Sequence, residues 1–205
     1  MEKTTMMKVW KGLPVAVAAV LVLGGCGGGG SDSVAATPSN SGSITACFTA
    51  NSTVNFAMTS IDVPPGQILP NRSTTGPMTY NGQAVTGQTS FYPSGTITTN
   101  SNYWTITSGG IRMIASVINN STVVPDGTFW PQNSSPGQTA TDSNNNVFTF
   151  IGFEAVSLAG KTFTNTCHIK GVDPQNNVAE GWYAPGYGLI KQVGTTGTSQ
   201  YNGDL

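Results

Sequence analysis

The residues best suited to act as base, nucleophile or metal ligand are a single histidine, three cysteines and nine acidic side chains. His168 directly follows Cys167, and a Cys–His pair can serve as nucleophile and base. Successive residues of a strand point to opposite faces, however, so on an extended segment the two side chains cannot meet. His168 then reads as a surface residue. No Gly-x-Ser-x-Gly turn occurs, and without a core histidine a serine triad lacks its base. Asp62, Asp126, Asp142 and Asp173 lie near turns, and Asp126-Gly127 and Asp173-Pro174 are turn chemistry. Asp142-Ser143-Asn144-Asn145-Asn146 has the oxygen-rich composition of a calcium loop but lacks the Gly and distal Glu of an EF-hand. Glu154, on an otherwise apolar stretch, has three readings: buried with a raised pKa, paired with Arg112, or facing water. No two carboxylates have glycosidase spacing, and Gly27–Gly30 has no strand before it to make a phosphate cradle. These residues point to a non-catalytic chain without metal or cofactor.

The N-terminus explains what the cysteines are for. Lys3, Lys8 and Lys11 precede an uninterrupted apolar run from Val15 to Leu23, the layout of a secretory signal. That run is about half of the roughly 20 residues a spanning helix needs. It ends in Leu23-Gly24-Gly25-Cys26, which resembles the lipobox of bacterial lipoproteins. The resemblance covers residues 1–26. It implies a signal peptide over residues 1–25, diacylglycerol on the Cys26 thiol, cleavage before Cys26 and a third chain on the freed amine. Each buried acyl CH₂ adds about 0.8 kcal/mol of membrane affinity, so two or three chains anchor stably. Gly27 rather than Asp after the Cys implies, by the sorting of Gram-negative lipoproteins, the outer membrane, on its periplasmic or surface face. With Cys26 acylated, Cys47 and Cys167 remain. In an oxidising compartment two thiols most simply form one disulfide, here enclosing about 120 residues. Two buried free thiols or a metal pair are the alternatives, although two Cys and one His make a poor zinc set.

Cleavage before Cys26 leaves five basic against eight acidic side chains, a net charge of −3. No basic stripe exists to attract nucleic acid. The remaining chain contains four Leu and two Glu, which starves helix of its usual material. Val, Ile, Thr, Phe, Tyr and Trp are plentiful. The expected fold is mainly β: a single antiparallel domain over residues 44–193, a curved half-barrel or sandwich of roughly eight to ten strands with little helix. Residues 26–43 read as the acylated Cys and a flexible Gly/Ser linker. Residues 194–205 read as a loose tail.

Within the domain, residues 44–62 read as two strands about a turn at Asn51-Ser52, and 67–82 as turn-rich up to Asn81-Gly82. Strands follow at 83–92, 96–107 and 111–118. Residues 131–146 read as the longest exposed loop, and residues 147–158 as a strand. Lys161 to Lys170 alternates cleanly, with Phe163, Cys167 and Ile169 on one face. Residues 178–184 and 187–193 close the domain as a hairpin.

The segment Phe148–Lys191 ends in Trp182-Tyr183-Ala184-Pro185-Gly186-Tyr187-Gly188-Leu189-Ile190-Lys191. This resembles the C-terminal part of uncharacterised proteobacterial envelope lipoproteins, themselves similar to half-barrel carriers of lipoproteins and lipids. The likeness implies a curved antiparallel sheet. The chain departs from those carriers in having little helix to plug a concave sheet. The expected function is non-catalytic: binding or scaffolding an apolar or glycan ligand, or a partner protein, at the membrane. Phe56, Trp104, Phe150, Trp182, Tyr183 and Tyr187 are the candidate contact residues. The alternative is a structural or surface-exposed lipoprotein with no small ligand, and a hydrolase comes third.

Overall fold

The structure, a computed structural model, describes residues 42–60, 68–91, 99–124, 127–194 and 197–204. The expected signal peptide, Cys26, the linker to residue 41, Asp62 and Asp126 lie outside the described residues.

The described residues open with a one-turn helix, α1 (Ile44–Phe48), followed by thirteen strands. These are β1 (Ser52–Ser60), β2 (Leu69–Tyr80), β3 (Gln83–Phe91), β4 (Thr99–Thr107), β5 (Gly110–Ile118), β6 (Ser121–Val124) and β7 (Phe129–Pro131). They continue as β8 (Thr139–Thr141), β9 (Val147–Leu158), β10 (Lys161–Val172), β11 (Val178–Ala184), β12 (Gly188–Gly194) and β13 (Gly197–Asp204). All belong to one antiparallel sheet in the order β6-β5-β4-β3-β2-β1-β13-β12-β11-β10-β9-β8, with β7 paired to β5. Because β7 also packs beside β8, the sheet curls until it nearly closes into a barrel.

The mainly β expectation holds, and four local expectations are corrected. Residues 44–48 are helix rather than strand. Ile44, Cys47 and Phe48 fall at i, i+3 and i+4, and all three are buried against the sheet. Residues 69–80 form a long strand instead of turns. Its buried face carries Asn71, Ser73 and Thr75, so no apolar alternation marks it. Pro77 is tolerated because among the described residues it pairs only with β3, leaving its other side free. The loop at 131–146 contains β7's last residue and β8. The tail is β13, which lies between β1 and β12 and joins the first strand to the closing hairpin.

The inner face holds the principal core. Ile44, Cys47, Phe48, Trp104, Ile111, Trp130, Phe150, Phe153, Cys167 and Ile169 cluster there. Burying each large apolar side chain contributes about 1.5–3 kcal/mol. A second cluster contains Val54, Phe56, Phe163, Trp182, Ala184, Ile190 and Tyr201. Phe163 belongs to this second cluster, apart from Cys167. Between them the β9–β10 register shifts around Asn165, whose φ is +53°, and the extra residue reverses the alternation.

The β9–β10 hairpin also outruns its neighbours. β11 pairs only with Cys167–Val172, and β8 only with Val147–Thr149. The tip from about Glu154 to Thr166 is therefore a two-stranded ribbon, and it reaches across to β13. Ala159 and Gly160 make its turn at φ +47° and +78°.

Candidate functional site

The cysteine pairing is settled first. Cys47 and Cys167 form a disulfide with Cα atoms 6.1 Å apart, both fully buried. It staples α1 to β10. Trp104 Nε1 donates to the Phe48 carbonyl at 3.0 Å, and Phe48 stacks on Tyr183 with ring centroids 4.7 Å apart. Burial pushes the Tyr183 phenol up to about 12. α1 thus acts as a plug within the curl of the sheet. Beside it lies a cavity of about 70 Å³ lined by Phe48, Trp104, Trp130, Tyr183, Gln88 and Asn102, among others. A neighbouring void measures about 30 Å³.

On the opposite face of β10 and β11, a direct cross-strand row places His168, Trp182 and Lys191 side by side. His168 stacks on Trp182 at 4.3 Å, and the Lys191 ammonium lies 4.4 Å from the same ring. His168 Nε2 meets Glu180 Oε2 at 2.9 Å, and its Nδ1 lies 3.2 Å from Glu154 Oε1. Trp182 Nε1 also donates to Glu154. Of the three readings of Glu154, neither burial nor Arg112 is its fate: it is a partner of His168 and Trp182. His168 is half-buried rather than freely exposed. Both ring nitrogens face carboxylates, and no nucleophilic side chain contacts it among the described residues.

A third cluster joins the hairpin tip to the C-terminal strand. Lys161 Nζ donates to Asp204 Oδ2 at 2.8 Å and to the Tyr187 hydroxyl, amid the rings of Phe163, Tyr187 and Tyr201. The Asp204 hydrogen bond, aided by Tyr187, raises the Lys161 ammonium above its ordinary value. Asp204 is lowered, chiefly by the same bond. Burial and a hydrogen bond to Asp204 raise Tyr201.

The two aspartate loops prove to be one device used twice. In Asp142–Asn146, Asp142 Oδ1 accepts from the N–H groups of Asn144 and Asn146, both at 2.9 Å, while Oδ2 accepts from Asn146 Nδ2. In Asp173–Asn177, Asp173 Oδ1 accepts from the N–H groups of Gln175 and Asn177, and Oδ2 from Asn177 Nδ2. Asn145 and Asn176 adopt φ +63° and +61°. The Asp142 carboxylate is thus occupied by loop donors. Among the described residues no group of three or more His, Cys, Asp or Glu side chains is placed to hold a metal ion.

A pH dependence follows. Burial acts to raise Asp173, but the Asn177 side chain and the Asn177 and Gln175 amides outweigh it, and its pKa is lowered. The folded form therefore binds the proton less readily than the unfolded chain. The stabilisation is present above the ordinary carboxylate pKa and is lost as pH falls through the folded-state value. The urea midpoint of wild type should fall more steeply between about pH 5 and 3 than that of Asp173→Asn. Parallel curves would show that the loop does not couple to folding.

The six candidate contact residues do not form one surface. Trp104 and Phe150 are buried inside the curl with Tyr183 packed against them, whereas Phe56 is buried in the second cluster with Trp182. Trp182 lies on the other face beneath His168 and Lys191. Tyr187 belongs to the Lys161 cluster. Lys161, Tyr201 and Asp204 carry no local signal in the sequence, since β13 has no apolar alternation to suggest what its residues meet. Comparing the two Asp-x-x-Asn-Asn loops would have revealed their shared design.

The chain matches no protein-family model, no curated protein and no solved structure.

Proposed function

We propose that this protein is a non-catalytic lipoprotein of the bacterial envelope, anchored through acylated Cys26, whose barrel works as a scaffold through its outer surface and carries no cargo inside. The observation that supports this reading most is the filled interior. Sites for drug-sized ligands measure about 300–1,000 Å³, whereas the cavity beside α1 measures about 70 Å³. That space suits a few water molecules, which need about 10–15 Å³ each. An acyl chain or a sugar ring does not fit without unseating α1, which a disulfide holds. The non-catalytic reading draws on the commitment of Cys167 to that disulfide and of His168 to two carboxylates.

Native and intact-mass spectrometry of protein purified from its own host tests this. The expected polypeptide starts at Cys26, carries added acyl mass, lacks two hydrogens and brings no stoichiometric small molecule. A co-purifying ligand would overturn the scaffold reading. Absence of acyl mass would overturn the anchor.

A further inference from the structure

The hairpin tip delivers an ammonium group into a box of aromatic rings. Lys161 Nζ lies 4.3 Å from the ring centre of Tyr187, 5.6 Å from Tyr201 and 5.7 Å from Phe163. All three fall within the roughly 6 Å over which a ring face attracts a cation. The rings stand edge to face, at interplanar angles of 80°, 80° and 89°, so they form three separate walls. Asp204 supplies a carboxylate at 2.8 Å and Tyr187 a hydroxyl acceptor.

We propose that Phe163, Tyr187, Tyr201 and Asp204 form a recognition site for a primary alkylammonium group, occupied by Lys161 in the resting fold and entered by an external amine that displaces it. The walls do not depend on their guest. Phe163 and Tyr201 are buried and pack in the cluster of Val54, Phe56 and Ile190. The guest is the mobile part. Lys161 is a flexible four-carbon stem, and the side chains of Lys161 and Asp204 are 34% and 54% exposed. An incoming amine therefore reaches the carboxylate without unfolding the tip. The guest is held by N–H donation to Asp204 and Tyr187 as well as by the rings. A trimethylammonium group has no N–H to donate and loses both bonds, so the site selects a primary amine. Ethanolamine has this chemistry, as a free amine or as a lipid headgroup. The assignment is independent of the scaffold and anchor readings.

The test is an NMR titration of the full chain, wild type and Lys161→Ala, with ethanolamine and with tetramethylammonium. Saturable shifts are expected at Tyr187, Tyr201 and Asp204. Lys161→Ala should bind ethanolamine about ten-fold more tightly than wild type, and about ten-fold more tightly than it binds tetramethylammonium. Adding Asp204→Asn should abolish binding. If Lys161→Ala does not fold, the wild-type titration decides alone: ethanolamine must shift the Lys161 ε-methylene signal at concentrations where tetramethylammonium does not. No saturable binding to a folded Lys161→Ala, or equal binding of the two cations, overturns the proposal. Vesicles of phosphatidylethanolamine and of phosphatidylcholine separate the sources. Binding to the former alone assigns the headgroup, whereas binding of soluble ethanolamine without vesicle binding assigns the free amine.

Discussion

Replacing Cys47 and Cys167 together by alanine is expected to lower the unfolding free energy by about 4 kcal/mol, read as a large drop in urea midpoint. The bond joins residues 120 apart in sequence. Closing a loop of that size restricts the unfolded chain by roughly 4–5 kcal/mol in the entropy model, and removing native disulfides typically costs about 2–5. The location adds to the effect. A five-residue helix is too short to persist alone, because nucleation is unfavourable and few turns follow it. Once unstapled, α1 is held by packing and by a few hydrogen bonds, from Trp104 to the Phe48 carbonyl, from Ile44 N–H to the Gln132 carbonyl and from Gly186 N–H to the Thr49 carbonyl. The double variant avoids leaving one reactive buried thiol. A loss below about 1 kcal/mol would mean that packing alone seats the plug.

Trp104→Ala should be comparably damaging, at about 3–5 kcal/mol. Trp104 is 3% exposed and meets Phe48 edge to face at 5.7 Å. Truncation opens a void at the centre of the core and leaves the Phe48 carbonyl without its donor, which itself costs about 1–3 kcal/mol. Trp104→Phe should fall between wild type and Ala, because it keeps most of the volume and loses the N–H. Denaturant unfolding at low temperature is the appropriate measurement, since domains hold only about 5–15 kcal/mol in total. A variant with wild-type stability would identify Trp104 as a contact residue rather than a core one.

How legible each strand was in the sequence tracks what its buried face is made of. β9 and β10 could be read because Phe148 and Phe150 in the one, and Cys167 and Ile169 in the other, recur at the period of a strand. β2 could not, since Asn71, Ser73 and Thr75 fill its inner positions, and Gln88 Nε2 reaches Ser73 Oγ across the ladder at 2.9 Å. A buried hydrogen-bonded face looks like an exposed one in the sequence. β13 was hidden for a related reason: Tyr201 is its only large buried residue, amid Gly, Thr, Ser, Gln and Asn. The very short β6, β7 and β8 offer too few residues for any period to register.

The sites divide in the same way. Local chemistry was enough to place the turns at Asn81-Gly82 and Asp173-Pro174, and the near-absence of helix-forming residues was enough for a mainly β fold. Cys47 and Cys167 were expected to pair because few alternatives suit two thiols. Assembly of the Lys161 box needed three segments distant in sequence, brought together by the bulge at Asn165 and by the placement of β13 beside β1.

By composition and local pattern, then, the sequence alone determined a mainly antiparallel β body with almost no helix. Only the tertiary structure decided that the sheet curls until nearly closed, that α1 plugs it and that the tail completes it. Strand propensity acts over neighbouring residues, whereas closure depends on which distant edges meet, and nothing local in β1 or β13 names its partner.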